Sequence, residues 1–231
     1  MVGDSVALQI GEALCGWAVD HPDRMVVLNE SHLGCVVGRH GLKRIPEGDE
    51  GTVGEICSAW NEAVPTHVMM DSEVVSWPSA VAAFRPDVVL GHVTAWDVTD
   101  RLVPSLGDEW VWVGVPAYDE YISAEYRLGS EVLGAEGAQV YWLEGAHIRR
   151  EIRPQNHPDR IDRLNELVRE ATADLDFVTM VSYRDFTGLN GTAREREIRD
   201  DGVHLSDAGM AQVSQWLVDE VFDETREAII D

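Results

Sequence analysis

Two short stretches, at opposite ends of the chain, carry residue types that can do chemistry together. Gly3-Asp4-Ser5 lies where an apolar pair gives way to a helical pattern. Glycine permits a tight turn, and a serine at a helix N-terminus sits among backbone N–H groups able to stabilise a developing oxyanion. Plain helix capping by Ser5 or Asp4 is the commoner use of these residue types. Near the other end, Asp200-Asp201-Gly202-Val203-His204-Leu205 precedes the last helical pattern. A serine nucleophile needs a base, and a base needs an acceptor to orient it. Asp201 and His204, three apart in a turn, place a carboxylate against one ring nitrogen and leave the other to face Ser5. Capping of the last helix by an Asp or by Ser206 is the competing reading. The ordered pairing of the two turns is what lifts both signals.

Other chemistry-bearing residues form no comparable pattern. Cys15, Cys35 and Cys57 lack the paired spacing of zinc ligands. Cys15 falls on the apolar side of a helical pattern and reads as a buried small hydrophobe. Cys35 and Cys57 flank a Gly-rich stretch, Gly38 to Gly54, and either close it as a disulfide or stand as two thiols. His32, His40, His67, His92 and His147 show no metal-ligand spacing and read as loop or packing residues. Glu195 and Glu197 among Arg194, Arg196 and Arg199 read as a solvated charged segment. Gly91 lies within a strand pattern and not in a phosphate-binding glycine motif. No metal and no cofactor are expected.

The elements that must position Ser5 and His204 follow from hydrophobic periodicity. Leu8, Ile10, Ala13, Leu14 and Trp17 recur at helical spacing up to His21-Pro22. Met25–Leu28, Asp87–Leu90, Gln139–Leu143 and Phe177–Val181 are short buried-strand signals. Helices are expected over Ala80–Phe84, from Pro116 to Gly134, from a cap near Asp159 to Ala171, and over Leu205–Phe222. Short apolar runs alternating with amphipathic helices indicate parallel strands joined by crossovers, hence an α/β chain with helices on both faces of an open sheet. No linker or repeat divides residues 1–231, so a single domain is expected. Reactive groups then sit at the carboxyl ends of strands, in Gly3–Val6, Asn29–Gly41 and Thr94–Arg101. Met1-Val2 reads as the tail of a strand, so the first strand is expected to be truncated. Either a damaged sheet or a further upstream segment would follow.

Taken together, GDSVA at 3–7, the Gly34-Cys35 loop, PDVV at 86–89, WDVTDR at 96–101, VGVPAYDEY at 113–121, the Gly137–Leu143 strand entry and DGVHLSDAG at 201–209 make the chain resemble the SGNH (GDSL-like) hydrolases. More narrowly, it is similar to the SGNH domains fused to acyltransferase-3 type membrane acyltransferases. The resemblance spans essentially the whole chain and implies a three-layer, flavodoxin-like α/β/α fold. It implies Ser5 as nucleophile, His204 as base and Asp201 as its partner, with the backbone N–H groups of Ser5 and Gly34 in the oxyanion hole. Thr94, Trp96 and Asp97 would line the substrate loop. Typical members place an Asn oxyanion donor where this chain has Trp96, a departure the acyltransferase-linked branch shares. Losing one such donor typically costs on the order of 10²–10³ in turnover. Trp96 then serves as a sugar-stacking wall or as a partly buried core residue.

The implied activity is that of a serine esterase or O-acyltransferase acting on O-acyl, chiefly O-acetyl, groups of a carbohydrate or cell-surface glycan. The alternative is a catalytically weak or inactive glycan-binding accessory module with the same fold. The net charge of −24 argues against nucleic acid and anionic membrane surfaces as partners. Of the 18 basic side chains only Lys43 is a lysine. No run approaches the ~20 apolar residues of a membrane helix, and no secretory signal is visible. The chain is extracytoplasmic if it is part of a larger membrane acyltransferase and cytoplasmic otherwise.

Overall fold

The computed structural model describes residues 1–44, 50–52, 57, 60, 67–69, 72–149 and 157–222. Gly54, which ends the Gly-rich stretch, lies outside the described residues. The central sheet is built from β1 (Val2–Gly3), β2 (Glu30–Ser31), β7 (Val88–His92), β9 (Gln139–Leu143) and β10 (Val178–Val181). All its pairings are parallel, and the order is β10-β9-β7-β1-β2. In chain order these five strands run 2-1-3-4-5, the flavodoxin-like arrangement. Successive side chains of a strand point to opposite faces, and the sheet buries both.

On one face, Val2, Val89, Val140 and Trp142 pack with α2 (Trp77–Phe84), α3 (Pro116–Leu133) and α4 (Pro158–Thr172). On the other, Leu90 and Leu143 pack with α1 (Ser5–Asp20), α5 (Tyr183–Thr187), α6 (Ala193–Ile198) and α7 (Asp207–Leu217). Each fully buried Leu or Ile in these layers contributes about 1.5–3 kcal/mol relative to exposure. The result is a three-layer α/β/α architecture. The chain leaves β1 toward the α1 face and reaches β7 through α2 on the opposite face. Crossovers that part in this way open a crevice at the carboxyl ends of β1 and β7. Ser5 follows β1 directly into that crevice.

Several elements differ from the sequence expectations. Met25–Leu28 is not a strand; the parallel partners of Val2 and Gly3 in β1 are Glu30 and Ser31. The α-amino group of Met1 continues the contact by donating to the Leu28 carbonyl at 2.8 Å. The expected long loop instead carries β3 (Leu42–Arg44), which pairs antiparallel with β4 (Glu50–Thr52) and β8 (Arg101–Leu102). A further hairpin joins β5 (His67–Met69) to β6 (Ser72–Val74). The cap of α4 is His157, with Asp159 inside the first turn. The last helix begins after Ser206 and ends at Leu217, where Val218–Phe222 widens into a π turn.

The Arg194–Arg199 segment is solvated only in part: Arg196 and Glu197 are exposed, but two of its charged residues turn inward. Glu195 and Arg199 are buried and paired at 3.5 Å, and Arg149 donates to Glu195 at 2.9 Å. Cys15 is only half-buried, as a free thiol. Among the described residues, no helix is long and apolar enough to cross a membrane. A cavity of about 800 Å³ opens at the amino ends of β1 and β7, lined by Val27, Trp77, Phe84, Val88 and Leu133, away from Ser5 and His204.

Candidate active site

The turn out of β1 is built by three residues with separate jobs. Gly3 has φ +139°, and a Cβ there would stand 2.7 Å from the Ala7 Cβ, so any side chain would force α1 away from the strand. Asp4 is the N-cap: its Oδ1 accepts the N–H groups of Val6 (3.0 Å) and Ala7 (3.3 Å). Asp4 therefore takes the capping role, and the Ser5 hydroxyl is left to another partner. That partner is His204, whose Nε2 lies 3.0 Å from Ser5 Oγ.

The other ring nitrogen of His204, Nδ1, is 2.9 Å from Asp201 Oδ2. The Asp201 Oδ1 meanwhile accepts the N–H groups of Val203 (2.7 Å) and His204 (2.8 Å), which closes the turn. Burial pushes the Asp201 carboxyl up, but its bonds to the His204 ring and to the two N–H groups outweigh this and hold it below the usual carboxylate range. Capping of α7 falls to Ser206, which accepts the Gly209 N–H at 3.1 Å. Both local alternatives in the sequence are thus taken by neighbours of the residues in question. Ser5, His204 and Asp201 form one continuous hydrogen-bonded line, in the order a nucleophile, its base and the base's acceptor require.

Beneath Ser5 lies a buried polar cluster. The Thr94 hydroxyl donates to Asp4 Oδ2 at 2.6 Å, and His92 Nδ1 lies 3.3 Å from Asp4 Oδ1. Burial raises the Asp4 carboxyl, but the charge and hydrogen bond of His92, the Thr94 hydroxyl and the Ala7 N–H together leave it below its ordinary value. His92, expected as a loop or packing residue, ends β7 and is buried against this carboxylate. Its place at the carboxyl end of a buried strand was the signal available in the sequence.

The loop holding Gly34 is anchored from several sides. Asp97 is fully buried and accepts the N–H groups of Val37 (3.0 Å) and Gly38 (3.1 Å) and the Tyr126 hydroxyl (3.1 Å). Arg101, also fully buried, pairs with Asp97 at 3.4 Å and donates to the carbonyls of Gly38 (2.9 Å) and His40 (3.0 Å). Arg39 grips Glu125 through Nε (2.7 Å) and Nη2 (2.8 Å). Cys35 and Cys57 are joined by a disulfide with their Cα atoms 5.1 Å apart.

Of the three residues expected to line the substrate loop, Thr94 and Asp97 therefore point inward. Trp96 is half-buried and packs on Cys35, Val36 and Cys57. Arg101 closes the WDVTDR stretch but its role as an anchor had no signature in the sequence, and Tyr126 had none beyond its type. Among the described residues, no three His, Cys, Asp or Glu side chains converge as metal ligands.

No known protein family matches the sequence, and no curated protein matches it. Solved structures do share its fold. A lipase/acylhydrolase from Enterococcus faecalis aligns with a TM-score of 0.56 at 16% identity, over 95% of this chain and 93% of that one. A GDSL-like lipase from Bacteroides thetaiotaomicron VPI-5482 aligns at 0.54 and 14% identity, over 97% and 86% of the two chains. An acetyl xylan esterase from Geobacillus stearothermophilus aligns at 0.54 and 13% identity, over 95% and 91%. At these identities the likeness establishes a common fold.

Proposed function

We propose that this chain is a single-domain serine esterase that removes O-acyl groups through an acyl-serine intermediate. The observation that carries the reading is the line from Ser5 Oγ to His204 Nε2 (3.0 Å) and from His204 Nδ1 to Asp201 (2.9 Å). The likeness in fold to lipases and to an acetyl xylan esterase supports an ester as the substrate. Ser5 Oγ attacks the ester carbonyl while His204 Nε2 takes the hydroxyl proton, and the carbonyl electron pair moves onto oxygen as an oxyanion. The N–H groups of Ser5 and Gly34 receive that charge. Collapse of the intermediate breaks the ester C–O bond, and His204 returns its proton to the departing alkoxide. Water, deprotonated by His204, then releases the acyl group and regenerates Ser5.

A sugar hydroxyl in place of that water would give acyl transfer. The similarity to acyltransferase-linked domains makes an O-acetylated glycan the favoured substrate class. The excess acidic charge favours a neutral acylated glycan over a polyanionic one.

The test is hydrolysis of a neutral aryl acetate and of acetylated oligosaccharides by the wild type and by Ser5→Ala, with labelling by a serine-directed phosphonate. Turnover and labelling that vanish in the variant support the reading. Equal turnover in both removes Ser5 from the mechanism. A second reading, a glycan-binding module with little chemistry, is favoured by Trp96, which takes the position in the sequence at which the resemblance implies an oxyanion-donating Asn. Glycan binding by a protein that never labels would select it.

A further inference from the structure

The one lysine of the chain stands beside this site. Lys43 projects from β3, and its Nζ donates to the Gly34 carbonyl at 2.7 Å. The same ammonium lies 4.5 Å from the centre of the Trp96 ring. It therefore sits between the loop that follows β2 and the 3₁₀ turn (Ala95–Val98) that follows β7. The next carbonyl along, that of Cys35, is 3.4 Å from the Thr94 hydroxyl, which itself donates to Asp4, the cap of the helix that begins with Ser5. A short run of contacts thus connects the ammonium to the nucleophile's own turn.

Lys43 is half-buried and, among the described residues, has no carboxylate within ion-pair distance. Removing an ammonium from water without a carboxylate partner is unfavourable, and one carbonyl and a ring face offset only part of the cost. An ammonium so placed interacts with negative charge developing beside it more strongly than one in bulk water would. The charged groups around it are Arg101 on β8, Asp97 in the 3₁₀ turn and Asp4 at the start of α1; Arg101 is itself paired with Asp97. The titratable His32 lies two residues before Gly34. Burial, with Arg101 adding to it and the two carboxylates opposing, draws the Lys43 ammonium below the ordinary lysine range.

We propose that Lys43 is a positioning residue for the ester reaction: it holds Gly34 in place by its carbonyl and sets a positive charge beside the pocket in which the substrate's carbonyl oxygen becomes an anion. Gly34 has φ +69°, a conformation that benefits from an external clamp. The inference rests on the esterase reading and assigns to Lys43 part of the electrostatic work that an Asn donor would otherwise do. Because the charge matters when the oxyanion forms, kcat is affected more than KM.

The experiment compares wild type, Lys43→Arg, Lys43→Met and Ser5→Ala on a neutral aryl acetate across pH 6–10. Lys43→Met is expected to lower kcat roughly 10- to 100-fold with KM changed less than about 3-fold. In the wild type kcat is expected to decline on the alkaline side as the ammonium loses its proton. Lys43→Arg should keep most of the rate and move that decline to higher pH, which a merely structural role would not do. A Lys43→Met enzyme with unchanged kcat and an unchanged alkaline limb overturns the inference while leaving the esterase reading intact. Wild-type turnover no greater than that of Ser5→Ala overturns both.

A second measurement needs no variant to fold. Reductive ¹³C-methylation of the wild type gives one lysine signal, and its titration midpoint should rise once Ser5 has reacted with an O-aryl alkylphosphonate monoanion, which loses its aryl oxide and leaves a fixed P–O⁻ on the serine. A midpoint that does not move overturns the inference.

Discussion

Thr94 donates its hydroxyl to Asp4 at 2.6 Å, tying the loop after β7 to the cap of the helix that begins with Ser5. Both side chains are buried, so the bond cannot be replaced by one to bulk water. The orientation of Ser5 therefore depends on Thr94, which lies 90 positions from the Asp4 that caps its helix.

Removing this tie should cost both stability and rate. Thr94→Val leaves one Asp4 oxygen short of a donor and is expected to lower stability by about 1–3 kcal/mol in urea or thermal unfolding. Asp4→Asn should lose a further part of the cap. The Asp4 carboxyl is depressed in the folded protein. Its contribution is therefore complete above the unfolded value of about 3.9 and is lost as the pH falls below it toward the folded value. Unfolding measured from pH 6 down to pH 3 should show a smaller acid loss for Asp4→Asn than for the wild type. Identical slopes would mean that Asp4 is not linked to stability in this way.

Asp201→Asn should keep the turn and lose the reaction. An asparagine oxygen can still accept the N–H groups of Val203 and His204, and α7 has its own cap in Ser206. Without the carboxylate, the His204 tautomer and the imidazolium formed during attack lose their support. Turnover of an acetyl ester is expected to fall about 10³- to 10⁴-fold while the melting temperature stays close to wild type. A variant with near-normal turnover would show that His204 works without Asp201.

Asp97→Ala should unfasten the Gly34 loop from beneath. It strips the acceptor from Val37, Gly38 and Tyr126 and leaves Arg101 as an unpaired buried charge. A loss of about 3–5 kcal/mol in stability is expected. Asp97→Asn, which keeps an acceptor, should cost less. Comparable losses for the two variants would place the effect in the charge and not in the hydrogen bonds.

Opening the Cys35–Cys57 disulfide should loosen the same loop from above. The bridge spans 22 residues and packs against Trp96. Paired serine substitutions, or reduction, are expected to lower stability by about 2–4 kcal/mol. Equal melting temperatures with and without reductant would show that the hydrogen bonds of Asp97 and Arg101 suffice to hold the loop.

Much of this arrangement was legible in the sequence, and the part that was not has a common cause. Turns, caps and periodic faces are decided within three or four residues, so Gly3-Asp4-Ser5, the Asp201–His204 pair and the α/β alternation could be read from the chain itself. Strand limits were less legible, because a strand exists only where a neighbour pairs with it: Met25–Leu28 has the composition of a strand but its partner β1 covers only Glu30 and Ser31. The same holds for Thr94 and Asp97, which sit in a loop of site-like sequence yet face inward because Asp4 and the 37–38 amides wait there.

The sequence by itself determined which residue types were available for acyl chemistry and the local geometry of each turn, since those depend on nearest neighbours along the chain. Only the tertiary structure decided that Ser5 meets His204 across 199 positions, and that the lone lysine stands between Gly34 and Trp96. Those meetings follow from the order of strands in the sheet and the face to which each crossover departs. Both are set by burial of two apolar faces at once, a property of the whole chain and of no single segment.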